Sequence, residues 1–148
     1  MTRVHGTSVA LGGDGVLLRG TSGCGKSDLA LRLIDGGARL IADDQTELRL
    51  SSSDVIASAP ATIAGQLEVR GVGILRVPYV GHIPIRLVVD LVPAESVERM
   101  PGEEYCELLG RSIRRLGLAA FEASTPAKIR IALSALSKPA RHPISVAS

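Results

Sequence analysis

The feature that most constrains this chain is one run of eight residues, Gly20-Thr21-Ser22-Gly23-Cys24-Gly25-Lys26-Ser27, which fits G-x-x-x-x-G-K-[ST]. The apolar run Val16-Leu17-Leu18-Arg19 precedes it and reads as a buried strand. Leu29, Ala30 and Leu33 follow at helical spacing, and Gly36-Gly37 stops the helix. A phosphate-binding loop needs this order of strand, glycine loop and helix. Its glycines let successive N–H groups turn inward around phosphate oxygens, and the positive end of the helix points at them. Lys26 then reaches the β and γ oxygens, and the Ser27 hydroxyl is placed to ligate Mg²⁺. A chance match at this composition has odds under roughly one in a hundred. The run therefore predicts binding of ATP with Mg²⁺, with Gly20 to Ser27 as the nucleotide contacts. Cys24 is either a small unreactive residue of the loop or a redox brake on nucleotide entry, and the first reading is the plainer one.

Length and composition bound what surrounds the loop. The 148 residues support one domain, expected over 1–138, with 139–148 as a flexible tail beyond Pro139. Hydrophobic residues are 45% of the chain and almost all aliphatic, since the only rings are Tyr79, Tyr105 and Phe121. Three scattered rings build no base-stacking platform for a nucleic-acid strand, and a net charge of +2 makes no electrostatic DNA binder. Two cysteines, Cys24 and Cys106, are too few for a disulfide framework. The longest aliphatic run, near Ile85 to Val92, is broken by Asp90 and too short to span a membrane. No apolar signal core follows Met1, so a cytoplasmic location is expected. The 17 basic residues are 14 Arg and only three Lys, at 26, 128 and 138.

Further along, Arg39-Leu40-Ile41-Ala42 reads as a short buried strand ending in Asp43-Asp44. Leu67 to Val77 and Ile83 to Val92, separated by Pro78 and Gly81, read as two more strands. A last helix is expected from Thr125-Pro126, with the Thr125 hydroxyl as cap and Ile129, Ala132, Leu133 and Leu136 as its apolar stripe. These elements predict an α/β fold, a single domain with a mixed central sheet and flanking helices. Charge is unevenly spread: six acids face Arg99 alone between Asp90 and Glu107, and seven bases face Glu122 alone from Arg111 onward. Two solvated surfaces that pair are the bland explanation, and a basic face for phosphate is the sharper one. Lys128 and Arg130, cations in the first turns of the last helix, oppose its dipole and suggest phosphate contacts, with a tolerated solvated face slightly ahead.

A phosphate loop does not name a reaction, which depends on the acids beside it. Asp43-Asp44 and Asp90 both follow apolar strands, where parallel sheets gather catalytic groups. The paired acids are the better candidates, because adjacent like charges are costly unless a metal or a proton-acceptor role uses them. Asp90 fits a strand-end cap more readily than a metal motif. In Leu67-Glu68-Val69-Arg70-Gly71-Val72-Gly73-Ile74-Leu75, one strand would carry Glu68 and Arg70 on the same face, as metal ligand and phosphate holder, or as an exposed ion pair. Gly71 and Gly73 would permit close backbone approach.

His5-Gly6, Gly20 to Ser27, Leu40 to Asp44 and Leu67 to Leu75, in this order, together resemble the catalytic domain of the bifunctional HPr kinase/phosphorylase family. The likeness covers residues 4 to 92 well and the remainder weakly. It implies the fold that this family shares with phosphoenolpyruvate carboxykinase. It also implies an ATP-dependent protein serine kinase acting on HPr, the phosphocarrier of sugar-transport phosphorelays, and the reverse phosphorolysis. Residue by residue, the resemblance makes Asp44 the general base, with His5 beside it. Lys26 would hold phosphates, and Ser27 and Glu68 would bind Mg²⁺; from the residues themselves, Arg70 joins the catalytic candidates and Asp43 the metal ligands. A homo-oligomer, hexameric in the family, is implied as well.

Two departures make the kinase step the firmer expectation. A later family arginine has no counterpart around Tyr105 to Gly110, and Leu118 to Ser124 replaces an Arg- and Gly-rich loop used in dephosphorylation. The missing N-terminal domain of longer members suggests a short form. The competing readings are a small-molecule kinase or NTPase, and a non-catalytic nucleotide sensor.

Overall fold

The computed structural model describes residues 1–137, so Lys138 and the expected tail at 139–148 lie outside the described residues. The chain forms β1 (Thr2–His5), β2 (Thr7–Leu11), β3 (Asp14–Arg19), α1 (Lys26–Asp35), β4 (Arg39–Ala42), β5 (Gln45–Ser51) and β6 (Asp54–Ser58). It continues with β7 (Gln66–Val69), β8 (Gly73–Arg76), β9 (Ile83–Leu91), β10 (Glu104–Leu108), β11 (Arg111–Leu118) and α2 (Thr125–Ser137). The expected α/β class with a mixed sheet and helices holds. At its centre β3, β9 and β11 run parallel, and antiparallel strands complete the sheet on both sides.

Burial explains why β3 reads as an unbroken apolar run. Val16 and Leu18 face a core shared with Leu29, Ala30 and Leu33 of α1 and Ile129 and Leu133 of α2. Leu17 faces the opposite core, with Ile41 of β4, Leu48 of β5, Val55 of β6 and Val88 of β9. A strand covered on both faces loses the polar alternation of a surface strand. Because β5 and β6 belong to the same sheet yet cover the far side of β3, the sheet curls over itself. Both helices therefore lie on one face.

Three local expectations change. Leu67 to Val77 is not one strand but a hairpin, β7 pairing antiparallel with β8 from Gln66↔Arg76 to Val69↔Gly73. Gly71 and Gly73 have φ of 86° and 125°, and a Cβ at either would meet nothing within 4 Å, so they serve the turn rather than a close approach. Arg70 consequently stands in the turn and shares no strand face with Glu68. The Thr125 hydroxyl does not cap α2. It is buried and donates to the Ala119 carbonyl at 2.5 Å, while the Ser124 carbonyl accepts the first helical bond from the Lys128 N–H at 2.9 Å. In the apolar stripe, Ile129 and Leu133 are buried and Leu136 is exposed.

The uneven charges meet where the parallel trio ends. Asp90 on β9 accepts from Arg19 Nε at 2.8 Å, Arg19 Nη2 at 3.0 Å and Arg115 Nε at 2.8 Å. Arg115 also donates to Glu104 of β10 at 2.7 Å. Burial pushes the Asp90 carboxyl up, but the two guanidinium groups outweigh it and hold Asp90 below the usual carboxylate range. The hydrogen bonds to Asp90 likewise raise Arg19 and Arg115 above the ordinary arginine value. Asp90 is thus a clamp joining β3, β9 and β11, with both oxygens committed. Among the described residues, no helix is long and apolar enough to cross a membrane.

A depressed carboxylate stabilises the fold above its unfolded pKa and ceases to do so as pH falls through the folded one. Asp90→Asn should cost about 2 kcal/mol at pH 7. The difference from wild type should shrink as pH drops below about 4. Urea unfolding at pH 7 and pH 3 measures both.

Candidate active site

The phosphate loop sits between β3 and α1, and Gly25, immediately before the helix, has φ 105°. Lys26 is 6% exposed, and its Nζ donates to the carbonyls of Gly20 at 3.0 Å and Thr21 at 3.1 Å. The ammonium is therefore held across the mouth of its own loop by two neutral acceptors that an anion would outcompete. Leu29 N–H donates to the Gly25 carbonyl at 2.9 Å, so α1 begins directly behind the loop and aims its amide end into it.

Next to the loop, Asp43 ends β4 and is 9% exposed. Its Oδ1 accepts from Ser27 Oγ at 2.7 Å and from Thr7 Oγ1 at 3.0 Å, and its Oδ2 accepts from the Glu68 N–H at 3.1 Å. One carboxylate thereby ties α1, β2 and β7 to the end of β4. Among the described residues no cation pairs with it, so a buried negative charge is stabilised by neutral donors alone.

Asp44 faces the other way. Its φ of 66° turns the backbone sharply, a conformation Asp tolerates better than most residues. The carboxylate is 62% exposed, and its Oδ1 lies 2.8 Å from His5 Nε2 on β1. Backbone pairing fixes the meeting: Gly6 N–H donates to the Asp44 carbonyl at 2.8 Å, and His5 registers opposite Gln45. Gly6 is required there, since a Cβ would stand 2.8 Å from Leu17 Cδ1 and 3.0 Å from the Leu18 carbonyl.

Thr7 links the two acids. Its hydroxyl donates to Asp43 and accepts from the Asp44 N–H at 3.0 Å. Beneath it, the Thr46 hydroxyl donates to the Gly6 carbonyl at 3.0 Å and so accepts from Ser8 at 2.9 Å. Thr7, Ser8 and Thr46 are all fully buried, and nothing in the sequence pattern marks Thr7 or Ser8. A hydroxyl at Thr7, two residues after His5, is an unremarkable residue until the fold brings β2 against the end of β4.

The expected residues divide accordingly. His5, Lys26, Ser27, Asp43 and Asp44 gather around the loop. Glu68 reaches the group through its backbone N–H, while its side chain is exposed. Arg70 lies in the hairpin turn, with no ion pair to either acid. Lys128 pairs with Glu122 at 3.4 Å. Arg130 lies against Gly36, its guanidinium filling the space a Cβ would need there, at the far end of α1 from the phosphate loop. Among the described residues, neither cation pairs with the phosphate loop.

Thr7→Val removes both hydroxyl bonds at nearly constant volume and leaves the buried Asp43 one donor short. We expect a loss of about 2 kcal/mol in urea unfolding.

Comparison with known proteins places the chain in a family. A curated HPr kinase/phosphorylase from Clostridium botulinum (strain Eklund 17B / Type B) is 50% identical over 76 residues, 51% of this chain and 25% of the relative. One from Geobacillus thermodenitrificans is 42% identical over 114 residues, 70% of this chain and 37% of the relative. The chain thus spans about a quarter to two fifths of the length of these relatives. A solved structure described as the HPr(Ser) kinase/phosphatase from Coxiella burnetii superposes with a TM-score of 0.78 at 25% identity, covering 87% of this chain and 86% of that one. The family model of the HPr serine kinase C-terminal domain matches residues 1–130, a span that includes the phosphate loop, both acids and His5. With loop, acids and histidine all inside that match, the chain belongs to the HPr serine kinase C-terminal domain family.

Proposed function

We propose that the chain is a Mg²⁺- and ATP-dependent protein serine kinase whose acceptor is a serine of an HPr-type phosphocarrier. The observation that carries this reading is the division of labour between adjacent acids: Asp43 is buried against Ser27 and Asp44 is exposed against His5.

The donor set fits Mg²⁺. Ser27 Oγ and the Asp43 carboxylate, 2.7 Å apart, are two hard oxygen donors at the phosphate loop. Mg²⁺ takes one or two protein carboxylates and completes its shell with phosphate and water. Asp43, buried without a cationic partner, would gain one. When bound, the metal neutralises charge on the transferring phosphate. Glu68, whose backbone N–H already bonds Asp43, would be a further oxygen donor from β7.

The remaining steps belong to the chain. The amide end of α1 and the loop N–H groups hold the phosphates, and Lys26 Nζ leaves the Gly20 and Thr21 carbonyls for them. Asp44, outside the buried acid network, is where an incoming serine hydroxyl can deliver its proton as phosphorus transfers. His5 Nε2, 2.8 Å away, orients that carboxylate. In the reverse direction a protonated Asp44 would return the proton to the serine oxygen. A protein acceptor suits the site better than a small molecule, because Asp44 is open to solvent.

Incubation with γ-labelled ATP, Mg²⁺ and HPr from the same organism should place label on a serine. Absence of label on HPr, with ATP still bound, would refute the kinase reading and favour a nucleotide sensor. Asp44→Asn should lower transfer by about 10²- to 10⁴-fold and leave ATP affinity unchanged. Lys26→Ala should weaken ATP binding itself.

A further inference from the structure

The chain has a single phenylalanine, Phe121, and it is 69% exposed beside the phosphate loop. A Cβ placed on Gly25 would stand 2.8 Å from Phe121 Cζ and 2.8 Å from Ala120 Cβ, so the ring tip rests on the last glycine of the loop. An exposed aromatic ring is usually a mobile surface residue, yet the segment that carries this one is anchored at several points. Arg32 of α1 donates to the carbonyls of Ala120 and, at 3.2 Å, Glu122, and its own guanidinium is held by Asp28 at 3.0 Å. The buried Thr125 hydroxyl grips the Ala119 carbonyl from the other side. The ring is therefore displayed from a fixed mount rather than left over at a loop tip.

Its place in the sheet gives the mount a direction. Asp43 and Asp44 leave the end of β4, two strands from β3 on one side, with β2 between. Phe121 leaves the carboxyl end of β11, two strands from β3 on the other side, with β9 between. The phosphate loop thus has the acids on one flank and the ring on the other. A phosphate chain whose reacting end lies at Asp44 must emerge on the flank of Phe121, at the carboxyl ends of parallel strands, where such sheets bind ligands.

We infer that Phe121 is the stacking surface for the base of the bound nucleotide. The inference rests on the reading of the loop as a nucleotide site and adds the base to it. A base of any identity offers a π face, so this contact sets affinity for nucleosides over bare phosphates rather than choice among bases.

Titration calorimetry of MgATP and Mg-tripolyphosphate separates base from phosphate. Phe121→Ala should weaken ATP by about five- to hundredfold and leave tripolyphosphate unchanged. Phe121→Trp should retain ATP affinity. Because the chain has no tryptophan, the indole fluorescence of that variant should respond to ATP and not to tripolyphosphate. Equal losses for both ligands in Phe121→Ala, no loss for ATP, or an indole signal indifferent to ATP would each overturn the inference while leaving the nucleotide site intact. Failure of the wild type to bind either ligand would instead overturn the nucleotide reading underneath it.

Discussion

A single buried carboxylate organises this molecule. Asp43 accepts hydrogen bonds from α1, β2 and the backbone of β7, so helix, sheet and hairpin meet on two oxygen atoms. Burying a charge without a counter-ion is unfavourable, and neutral donors recover only part of the lost hydration. The arrangement makes sense where a cation completes it. A local cost of this kind persists because the rest of the domain is conventional, with a curled sheet, two aliphatic cores and helices on one face.

The other carboxylate network works by the opposite principle. Asp90 is paired with two guanidinium groups, which already balance its charge, whereas the donors to Asp43 are neutral. Two acids at the ends of apolar strands therefore look alike in sequence and differ completely in surroundings. Arginine at residues 19 and 115 decides the matter, and those residues are 71 and 25 positions from Asp90. Only the pairing of β3, β9 and β11 brings them together.

This contrast explains what could be read from the residues. Val16 to Arg19, the helix up to Gly36 and Arg39 to Ala42 carry local signals: unbroken apolar runs, 3.6-residue spacing and glycine stops. The β2 strand carries none, because Thr7 and Ser8 are polar and yet fully buried, which erases the alternation by which strands are recognised. The β11 strand is obscured likewise by its arginines, of which Arg115 is recruited to ion pairs with Asp90 and Glu104. By contrast, β5 has a usable signal in Thr46, Leu48 and Leu50 at alternate positions, of which the first two are buried. In the site, motif and adjacent acids were legible, whereas Thr7 and the mount of Phe121 depend on contacts between residues far apart in the chain. The Leu67 to Val77 stretch misleads for a different reason: its β-branched residues favour strand throughout, and only the φ demanded at Gly71 and Gly73 breaks it into a hairpin.

The adjacency of Asp43 and Asp44 can then be understood through the backbone. Neighbouring residues on a regular strand point to opposite faces, which alone would send one acid inward and the other outward. Here the strand has already ended, and the turn at Asp44, with φ 66°, carries the second carboxylate toward β1. Thr7 couples the two, accepting from the Asp44 N–H while donating to Asp43. A shift of β1 against β5 by one residue would replace His5 opposite the turn and flip every side chain of that strand. His5 and Asp44 are thus positioned by sheet register, and Ser27 and Asp43 by the junction of loop and helix. The reacting phosphorus would lie where these two independent frames meet, which is why both acids must belong to one turn.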